Sequence, residues 1–177
     1  MIRGQAFVDE SKVKDYLLVS AVLAEEELAA ARKLLRDLLL PGQPRLHMKQ
    51  ESDPRRRKIL SAINELTPEV TLYRAPSLGR TELSRRAICL QRLVTDLHRH
   101  GHRALCIELD ETLRRRDNQT LIEATKAADS RDWLTYRHEQ ARREPLLSIP
   151  DALAWAWPKG GDWRRRCDSL AVVVVDV

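Results

Sequence analysis

Several features that would classify this chain at once are missing from it. None of its six glycines builds a Gly-rich phosphate loop, and neither a Walker motif nor a GxSxG elbow is present. P-loop phosphoryl chemistry and nucleophile-elbow hydrolysis therefore have no foothold. Cysteine is scarce: Cys89, Cys106 and Cys167 are odd in number and show no CxxC spacing. That argues against a disulfide framework or a zinc knuckle and for buried thiols in a reducing compartment. The longest apolar run, Leu170–Val175, is far short of the roughly 20 residues that cross a bilayer. Met1–Gln5 leads straight into a strand-like run with no apolar leader region, so a cytoplasmic protein with no membrane partner is expected. Internal repeats and low-complexity tracts are absent as well.

What is present is the material of one ordinary domain. The chain has 177 residues, 43% of them apolar and 32% charged, enough to bury a core. Thirty-one Lys and Arg against 26 Asp and Glu leave +5, with a pI near 9.4. This balance permits contact with a polyanion, although Arg and Glu alternate along most helices as they do on solvated faces.

Gln5–Ser11 and Tyr16–Leu23 are strand-forming runs separated by the four residues Lys12–Asp15, three of them charged, the pattern of an antiparallel hairpin. Glu25–Glu27 open a helix with Leu28, Leu34, Leu35, Leu38 and Leu39 as its stripe, closed by Pro41-Gly42. Leu46–Gln50 alternates as a short extended piece. Asp53-Pro54 starts a helix carrying Ile59, Leu60, Ile63 and Leu66. Val70–Ala75 alternates as a strand. Leu83, Ala87, Leu90, Leu93, Val94 and Leu97 mark a long amphipathic helix, and Arg103–Asp110 a further strand. A helix around Leu121–Ala128, a strand near Trp133–Tyr136 and a helix from Ser148 to Trp157, stopped by Pro158, complete residues 1–158. Residues 159–177 read as an extension, a Gly160-Gly161 linker plus an extra strand at Val172–Val175. Directly joined strands first and alternating helices later favour an α/β fold on a mixed sheet.

Chemistry is suggested by where carboxylates fall. Asp9 and Glu10 follow Ala6-Phe7-Val8, while Glu108 and Asp110 follow Ala104–Ile107. Side chains alternate along a strand, so a spacing of two puts Glu108 and Asp110 on one face. Acidic strand ends also serve as plain turn residues. Against an apolar sheet, however, they are costly unless paired with a cation, either a neighbouring Arg or a hard divalent metal. Asp151 stands in the first turn of the last helix, where a negative charge favours the dipole whether or not it binds anything. Small residues Ala152, Ala154 and Ala156 let that helix approach the sheet. His47 and Lys49, on the extended piece, and Arg116, in the Arg114–Arg116 run, are candidates to hold substrate phosphates. Arg55–Lys58 and Arg164–Arg166 are further basic runs, with no aromatics interleaved.

Asp9-Glu10-Ser11 at the end of the first strand, a hairpin partner from Tyr16, and Ile149-Pro-Asp-Ala-Leu-Ala-Trp155 near the C-terminus together resemble a family of bacterial RNase H-like domains of unknown function. Members of that family begin with a strand ending Asp-Glu-Ser-Gly and finish with a helix beginning Leu-Gln-Xaa-Ala-Asp. The likeness spans Gln5 to Trp157, with Lys12 in place of the usual Gly and Pro150 in place of Ala. It implies an RNase H-like mixed sheet with flanking helices and an acidic cluster for Mg²⁺ or Mn²⁺. On that likeness Asp9, Asp110 and Asp151 are the metal positions, with Glu10 and Glu108 beside them. The activity it implies is metal-dependent hydrolysis of a phosphodiester in RNA or DNA. The alternative is a non-catalytic member of the fold, a nucleic-acid-binding or protein-interaction module such as a defence or toxin–antitoxin locus encodes. A homodimer or a protein partner stays open.

Overall fold

The computed structural model describes residues 3–177, so the first two residues of the expected 1–158 unit lie outside the described residues. The first two strands are β1 (Gly4–Ser11) and β2 (Tyr16–Ala24), followed by helices α1 (Leu28–Asp37) and α2 (Asp53–Leu66). Strand β3 (Glu69–Ala75) and helix α3 (Glu82–Arg99) come next, then β4 (Ala104–Glu108), α4 (Arg114–Ala127) and β5 (Thr135–Glu139). Helices α5 (Ser148–Lys159) and α6 (Gly161–Arg165) lead to β6 (Val173–Asp176).

All six strands form one sheet in the order β5-β4-β1-β2-β3-β6. β1 and β2 pair antiparallel as the expected hairpin, Gly4 opposite Ala24 and Ser11 opposite Leu17. β2 and β3 are also antiparallel, whereas β1/β4, β4/β5 and β3/β6 are parallel. The mixed α/β sheet read from the sequence is the one observed.

Helices cover both faces, which explains why β1 is apolar at successive positions instead of alternating. Phe7, Val19, Ala21, Leu72 and Cys106 point to a core shared with α1, α2 and α5. Ala6, Val8, Leu18, Tyr73, Leu105 and Ile107 point to a second core under α3 and α4. α5 is buried nearly all round, from Ser148 to Ala154 and again at Ala156 and Pro158. It is the central helix of its layer, and Ala152 and Ala156, four residues apart on one face, are both fully buried.

Three local readings are corrected. Leu46–Gln50 does not pair as a strand: His47 keeps an extended backbone, but Met48–Gln50 is a 3₁₀ turn with Met48 buried in the core. Pro158 does not stop α5: the helix runs one residue past it to Lys159, and Gly160, at φ 68°, ends it. β4 ends at Glu108, where its pairing with β5 ends, so Asp110 lies beyond the strand. Residues 161–177 add α6 and β6 to the same body, with Cys167 and Leu170 buried in the α5-side core.

Candidate functional site

Alternation at the end of β1 divides the two acidic residues between the two faces of the sheet. Asp9 shares the face of Phe7, under α5; Glu10 shares the face of Val8, under α3. Val8 stands beside Ile107 in the parallel pair, so Asp9 and Glu108 leave adjacent strand ends on the same side. α5 brings Asp151 over that side from its first turn. Asp9, Glu108 and Asp151 thus face one cleft of about 960 Å³.

Asp151 is held firmly. Its Oδ2 accepts the Met48 N–H at 3.0 Å, and its Oδ1 lies 3.1 Å from His47 Nδ1. The 3₁₀ turn at Met48–Gln50 makes the first contact available, because an extended strand would aim that N–H elsewhere. Arg45 donates to Glu108 at 2.6 Å and comes within 3.9 Å of Asp151. Asp9 has no cationic partner among the described residues. Burial, and then the charges of Glu108 and Asp151, push its carboxyl well above the ordinary range, against a smaller lowering by the Glu10 N–H. Positive charge stands at the rim of the same cleft in Lys12, Lys14, Lys49 and Lys159.

Glu10 belongs to a different network on the α3 face, although it also borders the cleft. It accepts from Arg86 at 2.5 Å and from the Tyr16 hydroxyl, and it pairs with Lys12 at 3.0 Å. Arg86 forks onto Asp117 through two bonds of 2.8 Å, and His138 approaches Asp117 at 3.4 Å. Burial alone would raise Asp117, but Arg86 and His138 outweigh it and hold the carboxyl below the usual range. The Lys12 that replaces the expected Gly also bridges to Glu82 at 2.7 Å.

Of the residues read from the sequence, the structure brings together Asp9, Glu108, Asp151, His47 and Lys49. It does not bring Asp110 to them. Beyond the end of β4 the chain turns, and Asp110 is exposed, its Oδ1 taken by the Thr112 N–H and hydroxyl at 2.9 and 2.6 Å. The expected shared face of Glu108 and Asp110 fails because the strand does not reach Asp110. Arg116 is exposed on α4, beside Asp117 and away from the carboxylate cleft.

With this geometry in hand, one likeness decides the fold. The chain is similar to RNase HII of Archaeoglobus fulgidus, solved in complex with PCNA, at a TM-score of 0.55 and 18% identity over 85% of this chain and 69% of that one. The fold is RNase H-like. No family model and no curated protein matches the sequence. At that identity the likeness covers architecture alone, and any activity rests on the geometry of the site itself.

Sequence reasoning missed Arg45, Arg86 and Asp117. Two of them left a signal. Arg86 interrupts the apolar stripe of α3, three residues after Leu83 and four before Leu90, and Asp117 stands four before Leu121 on the buried face of α4. Charged residues on core-facing helix positions need partners, and here they partner each other. Arg45, between Pro44 and Leu46, carries no such mark.

Proposed function

We propose that this protein is a metal-dependent nuclease that hydrolyses a phosphodiester bond of nucleic acid, with Asp9, Glu108 and Asp151 as the residues that would hold Mg²⁺ or Mn²⁺. The observation that carries this reading is the convergence of three carboxylates on one cleft, with Asp9 paired to no cation among the described residues and its carboxyl raised by burial and by the charges of the other two. The donor set fits a hard divalent cation, being entirely carboxylate oxygen. As they stand, no three such groups among the described residues are close enough to enclose an ion, and Arg45 reaches toward both Glu108 and Asp151. Binding would therefore draw the three carboxylates inward and share or displace the Arg45 guanidinium.

A bound divalent ion supplies an activated water and stabilises the charge that builds on the leaving oxygen. The chain's own residues supply position and proton handling. Asp151, fixed by the Met48 N–H, orients the His47 imidazole through Nδ1, and His47 lines the cleft, where it can relay a proton to or from the reacting groups. Lys12, Lys14, Lys49 and Lys159 offset the negative charge of an incoming backbone.

Arg45 favours a second reading. A guanidinium on Glu108 and near Asp151 already balances part of the acidic charge, as in a non-catalytic module that keeps the fold and binds nucleic acid or a protein. A cleavage assay with Mg²⁺ or Mn²⁺ on single- and double-stranded RNA and DNA separates the two. The nuclease cuts at least one of the four substrates, and Asp9→Asn lowers the rate at least 100-fold. Wild type that binds nucleic acid and cuts none of the four leaves the module.

A further inference from the structure

Beyond the cleft, the surface continues along α5, α6 and α2 as a row of indoles that each hold cations. Trp155 borders the cleft and carries the Arg56 guanidinium 4.3 Å from its ring centroid and Lys159 Nζ at 5.1 Å. Trp163 packs edge-on to Trp155 with centroids 5.0 Å apart, and holds Arg57 at 5.7 Å and Arg166 at 6.0 Å. Arg164 lies over Trp157 at 4.7 Å. In the sequence the basic runs Arg55–Lys58 and Arg164–Arg166 are far apart and contain no aromatic residue. The fold interleaves them with three tryptophans.

Part of this charge is already spent, since Arg56 pairs with Asp53 at 2.8 Å and Arg166 with Asp162 at 2.9 Å. Arg57, Lys159 and Arg164 make no ion pair among the described residues. A long cationic side chain normally loses rotamer freedom when it grips a ligand; one already held over an indole loses less. The indole faces are covered by these cations, so the row offers positioned charge and not bare rings for base stacking.

We propose that this tryptophan-anchored row of cations seats the phosphates of one nucleic acid strand leading away from the carboxylate cleft. The assignment rests on the nuclease reading for its occupant: the row opens on the same cleft, and guanidinium forks match phosphate oxygens. Recognition of this kind is indifferent to base sequence and steep in salt.

The test is binding of a fluorescent 20-nucleotide single strand, DNA and RNA in turn, to the full chain in chelator at several salt concentrations. Combining Arg57→Ala, Lys159→Ala and Arg164→Ala should weaken binding at least tenfold near 0.1 M salt and flatten the log–log salt slope by about 2, at roughly 0.7 for each phosphate no longer neutralised. Trp155→Leu alters no charge, yet it should weaken binding about fivefold with little change of slope, and Trp155→Phe should recover part of the loss. Circular dichroism confirms that each variant is folded. Variants that bind like wild type overturn the row, and so does competition by polyglutamate as effective as by unlabelled oligonucleotide, which would indicate an acidic protein partner. If wild type cleaves while the variants bind normally, the row fails and the nuclease stands. If the variants bind weakly while wild type cleaves nothing in Mn²⁺, the row stands and the nuclease fails. Wild type that binds no strand removes both.

Discussion

Replacing Arg86 by Met would separate a buried charge network from the sheet that it braces. Arg86 is 7% exposed and Asp117 3%, and the two share a bidentate contact with both bonds at 2.8 Å. Glu10 would keep Lys12 and Tyr16, so most of the loss falls on Asp117, left with His138 alone at 3.4 Å. Breaking a buried pair by removing one partner costs about 3–5 kcal/mol, because the remaining charge stays buried and uncompensated. For a chain of this size that is a fall in Tm of roughly 6–20 °C. Removing both charges, with Arg86→Met and Asp117→Leu together, should recover most of the loss, giving a coupling of about 2 kcal/mol or more in a double-mutant cycle. Urea unfolding followed by circular dichroism measures each corner, with the slope m serving as a check on two-state behaviour. A cost below about 1 kcal/mol for Arg86→Met, or additive losses in the double variant, would refute the idea that this network is a mutually dependent unit.

Divalent metal at ten times its Kd should stabilise the wild type by about 1.4 kcal/mol, read as a rise in Tm, and Asp9→Asn should lose that rise. Glu108→Gln should abolish cleavage, whereas Asp110→Asn should leave it intact and cost at most about 1 kcal/mol, since Asp110 only closes a turn on Thr112. The two faces should respond oppositely to pH. Asp117 is held below its ordinary range, so its contribution is present above the unfolded carboxylate pKa near 3.9 and is lost as pH falls through the lower folded value. Asp9 is raised, so the fold binds its proton more tightly and loses stability as pH climbs from the unfolded value through the folded one; Asp9→Asn should flatten that limb of urea midpoint against pH.

The parts of the fold set by local pattern were legible. β1 and β2 are apolar on both faces with a charged link of four residues, Lys12–Asp15, broken only by Val13, and they pair as the expected hairpin. Asp9 and Asp151 were legible too, as a carboxylate at an apolar strand end and one in the first turn of a small-residue helix. The choice between Glu108 and Asp110 was not legible, because it depends on where β5 stops pairing with β4, a nonlocal event. The same applies to Leu46–Gln50, whose alternation mimics a strand although the fold turns it at Met48–Gln50 and uses it to grip Asp151. Glu10 was read as a companion of Asp9 at the metal, although strand alternation sends the two to opposite faces, and it joins Arg86, Tyr16 and Lys12 instead. Its partner Arg86 was missed, although a charge on an apolar helix stripe is a signal that points to pairing before it points to surface.

The carboxylate site stands or falls on a crystal of the wild-type protein soaked in Mn²⁺ and measured for anomalous scattering. The expected result is a peak bounded by the carboxylates of Asp9, Glu108 and Asp151, with Arg45 moved off at least one of them and Asp110 uninvolved. A cleft without a peak and with Arg45 still on Glu108, or a peak at Asp110, would contradict this carboxylate site as the metal centre.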